Sequence, residues 1–172
     1  MQKSNLDILV LCKLTQSKFQ SKIKPLISFN KIEKLRIIRN RKGFNSNKLD
    51  YHLVNHKLTL IAYFSMIFTA LKIIKNKNIK MIIGIYHYPY GILASLISKI
   101  SGIPFIVVTM GSDVNVVCAK YPALYRILSI SNGVIVRGQS SRKLLIEKGL
   151  KSTKISNIAN FLDMSKFKPT SI

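Results

Sequence analysis

Two short runs carry side chains suited to holding a polar ligand. The first, Tyr86 to Gly91 (YHYPYG), sets three tyrosines and His87 directly after an apolar segment. Aromatic rings and an imidazole in such a place suit contacts with a sugar or a lipid headgroup. The second, Thr109 to Val114, contains Gly111, Ser112 and Asp113, which offer a tight backbone, exposed amides and one carboxylate. This loop could bind a hydroxylated ligand. Read by itself it is more often a plain turn in which the aspartate caps the next helix. A lone histidine is likewise more often structural, and spacing names no acid/base partner for His87, so no catalytic residue is assigned. Cys12 and Cys118 lie far apart, and three His and six acids form no cluster, so no metal site is expected. Buried free thiols in a reducing cytoplasm are the expected state of the cysteines.

The elements that must position these runs alternate between strand and helix. Leu6 to Leu11 (LDILVL) is a continuous apolar strand of the kind buried on both faces of a parallel sheet. A polar, Lys-rich stretch follows to about Lys24, and Lys34 to Ile38 reads as the second strand. Asn40 to Asn47 is basic and turn-rich. Leu58 to Lys75 is apolar nearly all round and predicts a core helix. Strands are expected at Ile79 to Ile85, Pro104 to Val108, Gly133 to Val136 and Lys154 to Ile158. Helices are expected at Ile92 to Ser101, closed by Gly102; at Pro122 to Ile130; and at Ser140 to Lys148, with Ser140 as N-cap and Gly149 past the end. This alternation argues for an α/β fold, a Rossmann-like doubly wound and mainly parallel sheet. Ligands of such sheets sit at the carboxyl ends of the strands, where both runs fall.

The chain carries 28 Lys and Arg against six Asp and Glu, a net charge of +22. A field of that size draws anions: nucleic acid, acidic lipid or phosphorylated substrates. The abundance of Lys, Asn and Ile fits drift in an AT-rich genome equally well. The first sixty residues hold 13 of the basic residues and are the expected basic surface. The apolar run Leu58 to Leu71, about 14 residues, is short for a membrane span and typical of a buried or interfacial helix. No helix-turn-helix, zinc-finger or RNA-binding aromatic motif is visible.

The run IIGIYHYPYGILASLISKISGIPFIVVTMGSDVNV resembles the N-terminal domain of family 4 retaining glycosyltransferases, which have the GT-B fold. GVIVRGQSSRKLLIEKGLKSTKISNIANFLDMSKFKP is similar to the segment that leads into the hinge between their two domains, here Asn160, Phe161, Leu162 and Asp163, then Phe167 and Pro169. The resemblance is clear from residue 79 onward and loose before it. The chain departs from the family where CKLTQSKFQ replaces a glycine-rich loop, and where Met110 stands in the place of a histidine before Gly111.

The resemblance implies residues 1–159 as the N-terminal, acceptor-side domain of a GT-B enzyme and 160–172 as hinge, marked by Asn160 and Asp163. It implies sugar transfer from a nucleotide-sugar to a glycan or lipid-linked acceptor, as in polysaccharide biosynthesis. Gly111, Ser112 and Asp113 would lie at the acceptor cleft, with His87, Tyr90, Gly91 and Ser140 beside them. The family's paired-Glu donor motif is absent, since the only Glu residues are Glu33 and Glu147. By the resemblance the donor half is absent from this chain, so the expectation is a domain inactive alone, without cofactor, whose nucleotide-sugar site needs a C-terminal donor domain that a separate chain could supply. It would work in the cytoplasm, peripheral to the inner face of the membrane where an anionic surface attracts it. The rival expectation is a basic non-enzymatic α/β module binding nucleic acid or an anionic membrane, with nucleic acid the less favoured partner.

Overall fold

In the computed structural model, residues 6–111, 114 and 121–158 are described. Seven strands form one all-parallel sheet in the order β3-β2-β1-β4-β5-β6-β7. They are β1 (Leu6–Leu11), β2 (Ile32–Arg39), β3 (Leu49–Leu53), β4 (Ile79–Ile85), β5 (Phe105–Val108), β6 (Gly133–Val136) and β7 (Ile155–Asn157). The helices are α1 (Gln16–Ile27), α2 (Thr59–Asn76), α3 (Ile92–Ser101), α4 (Pro122–Ile130) and α5 (Gln139–Glu147). The strand order runs outward from β1 to β3, then restarts at β4 on the other side of β1. Right-handed crossovers therefore send α1 to one face and α2–α5 to the other.

The pleat sorts the core accordingly. On one face Ile8, Val10, Ile37, Ile83 and Ile85 pack with Phe19 and Ile23 of α1. On the other, Leu9, Leu11, Ile38, Ile82, Val107 and Val134 meet Met66 and Ala70 of α2, Leu93 and Ile97 of α3, Leu128 of α4 and Leu145 of α5. The doubly wound parallel sheet expected from the alternation is the fold found.

Two elements were not legible in the sequence. Helix α1 buries only Phe19 and Ile23, one turn apart, and holds Pro25, so its apolar stripe is too thin to stand out. Strand β3 is an edge strand with no buried residue, LDYHL, and lacks the apolar run of its neighbours. Helix α5 begins at Gln139, with Gly138 at φ 94° in the N-cap position. Ser140 therefore lies inside the first turn, and its expected capping role falls to a glycine that no Cβ obstructs. Gly102 and Gly149 close α3 and α5 at φ 73° and 92°, as their sequence positions suggested.

Helix α2 is long and apolar enough to cross a membrane by length and composition. Its Met66, Ala70 and Ile73 face is nonetheless buried in the core. The helix also joins two parallel strands of one sheet, so leaving that sheet would uncover the core. It lies on the protein surface as a crossover.

Candidate functional site

The strand order reverses between β1 and β4, and their carboxyl ends open the crevice in which doubly wound sheets hold ligands. The segments after β1, β2, β4, β5 and β6 meet along this rim.

The β4 segment is the most constrained. Tyr86 adopts φ 75°, unusual for a side chain other than glycine, and is tied by its amide to Val108 O at 2.9 Å. Its carbonyl accepts from Gly91 N–H at 2.9 Å, closing a wide π-type turn over His87–Gly91 that leads into α3. His87 is fully buried, and Gly91 lies against it. Tyr90 belongs to the larger core cluster, and burial pushes its phenol well above the ordinary tyrosine range. Tyr88 is the ring this turn leaves in solvent, 57% exposed. On α2, burial and then the Tyr88 phenol push the Tyr63 phenol above the ordinary tyrosine range. Of the turn's predicted ligands, His87, Tyr90 and Gly91 are buried, and Tyr88, which sequence reasoning did not single out, faces outward.

The turn is possible because of Gly84, the penultimate residue of β4. A Cβ there would stand 2.6 Å from Tyr90 O and 2.9 Å from Gly91 Cα. The main chain of the turn therefore lies directly on the strand. The only sequence signal was a glycine inside an apolar run, which marks a close backbone approach.

After β5, Thr109 donates its amide and hydroxyl to Ile135 O at 2.8 and 3.2 Å, stitching the β5 and β6 ends together. Gly111 follows, with no neighbour within 4 Å of its Cβ position. Ser112 and Asp113 lie outside the described residues, as do the hinge residues Asn160 and Asp163. After β6, Gly138 N–H donates to Asn157 Oδ1 at 2.8 Å, and Ser140 is exposed in the first turn of α5. The rim thus gathers the turn His87–Gly91, Gly111 and the α5 start, each following its own strand on the same edge of the sheet.

The charges segregate along the strands. Asp7, Glu33 and Asp50 each hold the second position of β1, β2 and β3, and Glu147 ends α5. All four lie at the amino-terminal edge of the sheet. The crevice edge carries Lys13 after β1, Arg39 at the end of β2, Arg41 and Lys42 beyond it, and Arg137 after β6. Among the described residues it has no acid, and α1, α3 and α5 begin there, adding the positive ends of their dipoles. Burial lowers the pKa of Arg137 from its ordinary value, yet leaves it a cation at neutral pH.

Arg39 is the residue sequence reasoning missed most completely. It is fully buried beneath α1, 4.0 Å over the Phe19 ring, and donates Nη2 to Leu14 O at 2.8 Å. That bond fixes the segment after β1, where the chain has no glycine-rich loop. The alternation Leu35, Ile37, Arg39 on one face of β2 was its only signal. Nearby, burial pushes the Cys12 thiol up to about 12, partly offset by the Arg39 charge, so Cys12 is an inert core thiol.

Among the described residues this rim presents cations, the exposed Tyr88 ring and the exposed Ser140, and no carboxylate. Among the described residues no group of His, Cys, Asp or Glu is placed to hold a metal ion.

A family model described as glycosyl transferase 4-like matches residues 1–132. The match takes in the first strands, where the sequence resemblance was loose, and ends before β6. No curated protein matches the sequence. Similar solved structures include the UDP-GlcNAc 2-epimerase of Methanocaldococcus jannaschii, at TM-score 0.65 and 12% identity over 90% of this chain and 46% of that one. Another is the UDP-N-acetylglucosamine 2-epimerase of Rickettsia bellii, at 0.67 and 13% over 91% and 45%. A third is Anabaena Alr3699/HepE in complex with UDP-glucose, at 0.67 and 14% over 96% and 47%. At these identities the likeness is one of fold, and the chain spans about half the length of these structures. The chain belongs to the glycosyl transferase 4-like family, and its fold fits one Rossmann-like half of a GT-B pair.

Proposed function

We propose that this member of the glycosyl transferase 4-like family is the acceptor-binding half of a retaining sugar transferase, acting between a nucleotide-sugar and a glycan or lipid-linked acceptor. The observation that carries the reading is the cationic crevice edge at the β1/β4 reversal, which has no acid among the described residues, with the aromatic turn beside it. A phosphate-bearing ligand gains there from Lys13, Arg41, Arg137 and three helix starts. Solved structures of similar fold are named for UDP-sugars, which supports nucleotide-sugar chemistry in the complete enzyme.

In transfer, an acceptor hydroxyl bonds to the anomeric carbon, the bond to the nucleoside diphosphate breaks with its electron pair on the diphosphate, and the hydroxyl proton departs. In this reading the present domain holds and orients the acceptor. Tyr88 offers a ring face to a sugar or lipid headgroup. Gly111 and Ser112 offer amides, and Asp113 accepts a hydrogen bond from an acceptor hydroxyl. Ser140 flanks the cleft, and Asn160 with Asp163 forms the hinge to a donor-binding domain. That domain supplies the donor site, so these 172 residues bind acceptor without turning it over.

Amide NMR of the labelled chain, titrated with a short-chain lipid-phosphate glycoside and separately with UDP-GlcNAc, tests this. The glycoside is expected to shift Tyr88, Gly111 and Ser140, with neither ligand consumed. Consumption of UDP-GlcNAc by this chain alone, or shifts confined to the amino-terminal edge around Asp7 and Asp50, would overturn the reading.

A further inference from the structure

Helix α2 turns two opposite faces to its surroundings. Met66, Ala70 and Ile73 are buried against the sheet. On the other side Leu60, Ile61, Phe64 and Phe68 are 72, 49, 62 and 70% exposed. Their spacing of three to four residues makes one stripe along the outward side of the first three turns. Leu58, 65% exposed, extends it at the helix start. Helix α3, packed beside α2, adds Leu96 and Ile100, 45 and 64% exposed. Large aromatic and aliphatic groups presented together in this way on a soluble domain mark an interaction surface.

The charges around this surface identify its partner. From Tyr51 to Ser112 the sequence contains no Asp or Glu, while Lys57, Lys72, Lys75, Lys77, Lys80 and Lys99 fall within it. Lys72 and Lys75 continue the apolar stripe onto the last turn of α2, and both are exposed. A second copy docked here by two-fold symmetry would bring together two lysine-bearing faces from stretches without Asp or Glu, with no carboxylate from either to pair the cations. An anionic bilayer satisfies both halves of the surface: phenylalanine and leucine enter the boundary between headgroups and acyl chains, and the lysines reach the lipid phosphates.

We propose that the outward face of α2, continued by α3, is an interfacial docking site for an anionic lipid bilayer. The helix lies in the plane of the interface and its buried face stays on the sheet. Its start follows the carboxyl end of β3, on the same edge of the parallel sheet as the crevice, so docking brings the headgroup layer to that edge. A lipid-linked acceptor would then reach the crevice without leaving its membrane. This last step rests on the transferase reading, whereas the docking itself does not.

The sequence has no tryptophan, so a single introduced Trp reports its own surroundings. Phe64→Trp and Phe68→Trp, mixed with phosphatidylcholine vesicles containing phosphatidylglycerol, are expected to show a blue shift of emission. Phe29→Trp, exposed just after α1 and on the other face of the sheet, is expected to show none. In flotation the double variant Phe64→Ser/Phe68→Ser is expected to bind the same vesicles roughly tenfold or more weakly, from the lost burial of two rings. Lys72→Gln/Lys75→Gln is expected to bind more weakly and with a reduced salt dependence. These residues are exposed, so circular dichroism and melting of the variants should match the parent. Equal blue shifts at positions 29 and 64, undiminished flotation of the Phe64/Phe68 variant, or equal binding to phosphatidylcholine alone would overturn the proposal. So would a dimer in solution that the same two substitutions dissociate. None of these readouts depends on acceptor or nucleotide-sugar, so docking and transferase readings fail separately.

Discussion

Gly84→Ala is the sharpest test of how the crevice is built. The added methyl would meet Tyr90 O at 2.6 Å, Tyr90 C at 2.8 Å and Gly91 Cα at 2.9 Å. All three contacts are main chain, so no side-chain rotation relieves them. Ordinary carbon contacts begin near 3.4 Å, so the turn His87–Gly91 must lift from β4 by at least half an ångström or the strand must bend. The turn is held by Tyr86 N–H to Val108 O and by Gly91 N–H to Tyr86 O, both 2.9 Å, and it feeds directly into α3. Overpacking of this kind costs about 1–3 kcal/mol, and rigid partners place it near the upper end, about 2–3 kcal/mol. For a domain of this size that is a fall in melting temperature of roughly 4–12 °C. The control is Gly133→Ala in β6, where the nearest atom to the new methyl is Ile106 Cγ1 at 3.7 Å. That variant is expected to match or slightly exceed the parent, because alanine lowers unfolded-state entropy. The assay is calorimetric and urea unfolding of all three proteins. If Gly84→Ala melts within about 1 °C of Gly133→Ala, the turn does not rest on β4 as described.

Two further expectations concern the core, and one the crevice. Arg36 donates to Asp7 Oδ2 at 2.8 and 3.2 Å and to Asp50 Oδ2 at 2.6 Å, whereas buried Arg39 has no acid partner among the described residues, where its Nε and Nη1 find no hydrogen bond. Arg36→Met should therefore cost about 2–4 kcal/mol by leaving the Asp7 carboxylate largely buried and unpaired, while Arg39→Met should stay within about 1 kcal/mol of the parent, both by urea unfolding. Cys12 titrates near 9 when unfolded and about 12 when folded. Its contribution to stability is thus intact below pH 9 and lost as pH rises from 9 towards 12, because only the unfolded chain releases the proton in that window. In a Cys118→Ala background Cys12→Ala should flatten that decline, and a thiol reagent at pH 8 should label Cys12 only in urea. Arg137→Gln should weaken binding of a phosphate-bearing acceptor, and reduce its salt dependence, without moving the melting temperature by more than about 2 °C.

The segregation of charge gives the net +22 a direction. The four described acids lie at the amino-terminal edge or at the end of α5, so among the described residues the crevice and α2 carry cations without acids. A ligand approaching the carboxyl edge meets a field that the total charge alone would not locate.

Strong local signals were readable in the sequence. Continuous apolar runs such as Leu6–Leu11 and Ile79–Ile85 are what a doubly covered parallel strand requires, and Gly102 and Gly149 sit where left-handed backbone must end a helix. Strand and helix therefore alternate visibly, and alternation of that kind has few folded solutions. The loops rich in Tyr, His, Gly and Ser were likewise visible as the segments after β4 and β5. What each side chain faces was not. Periodicity places Tyr90 and Tyr88 in one turn, but only the packing of that turn on Gly84 sends Tyr90 into the core and Tyr88 into solvent. The run Leu58 to Leu71 shows a helix apolar all round, and sequence alone reads it as core. Only the crossover from β3 to β4 decides that one side meets the sheet and the other, with Phe64 and Phe68, stays open. Local sequence thus determined where the chain extends, coils and turns, because those choices cost energy residue by residue. Tertiary structure decided which faces meet, because burial is a property of two surfaces and only one of them is written in any segment.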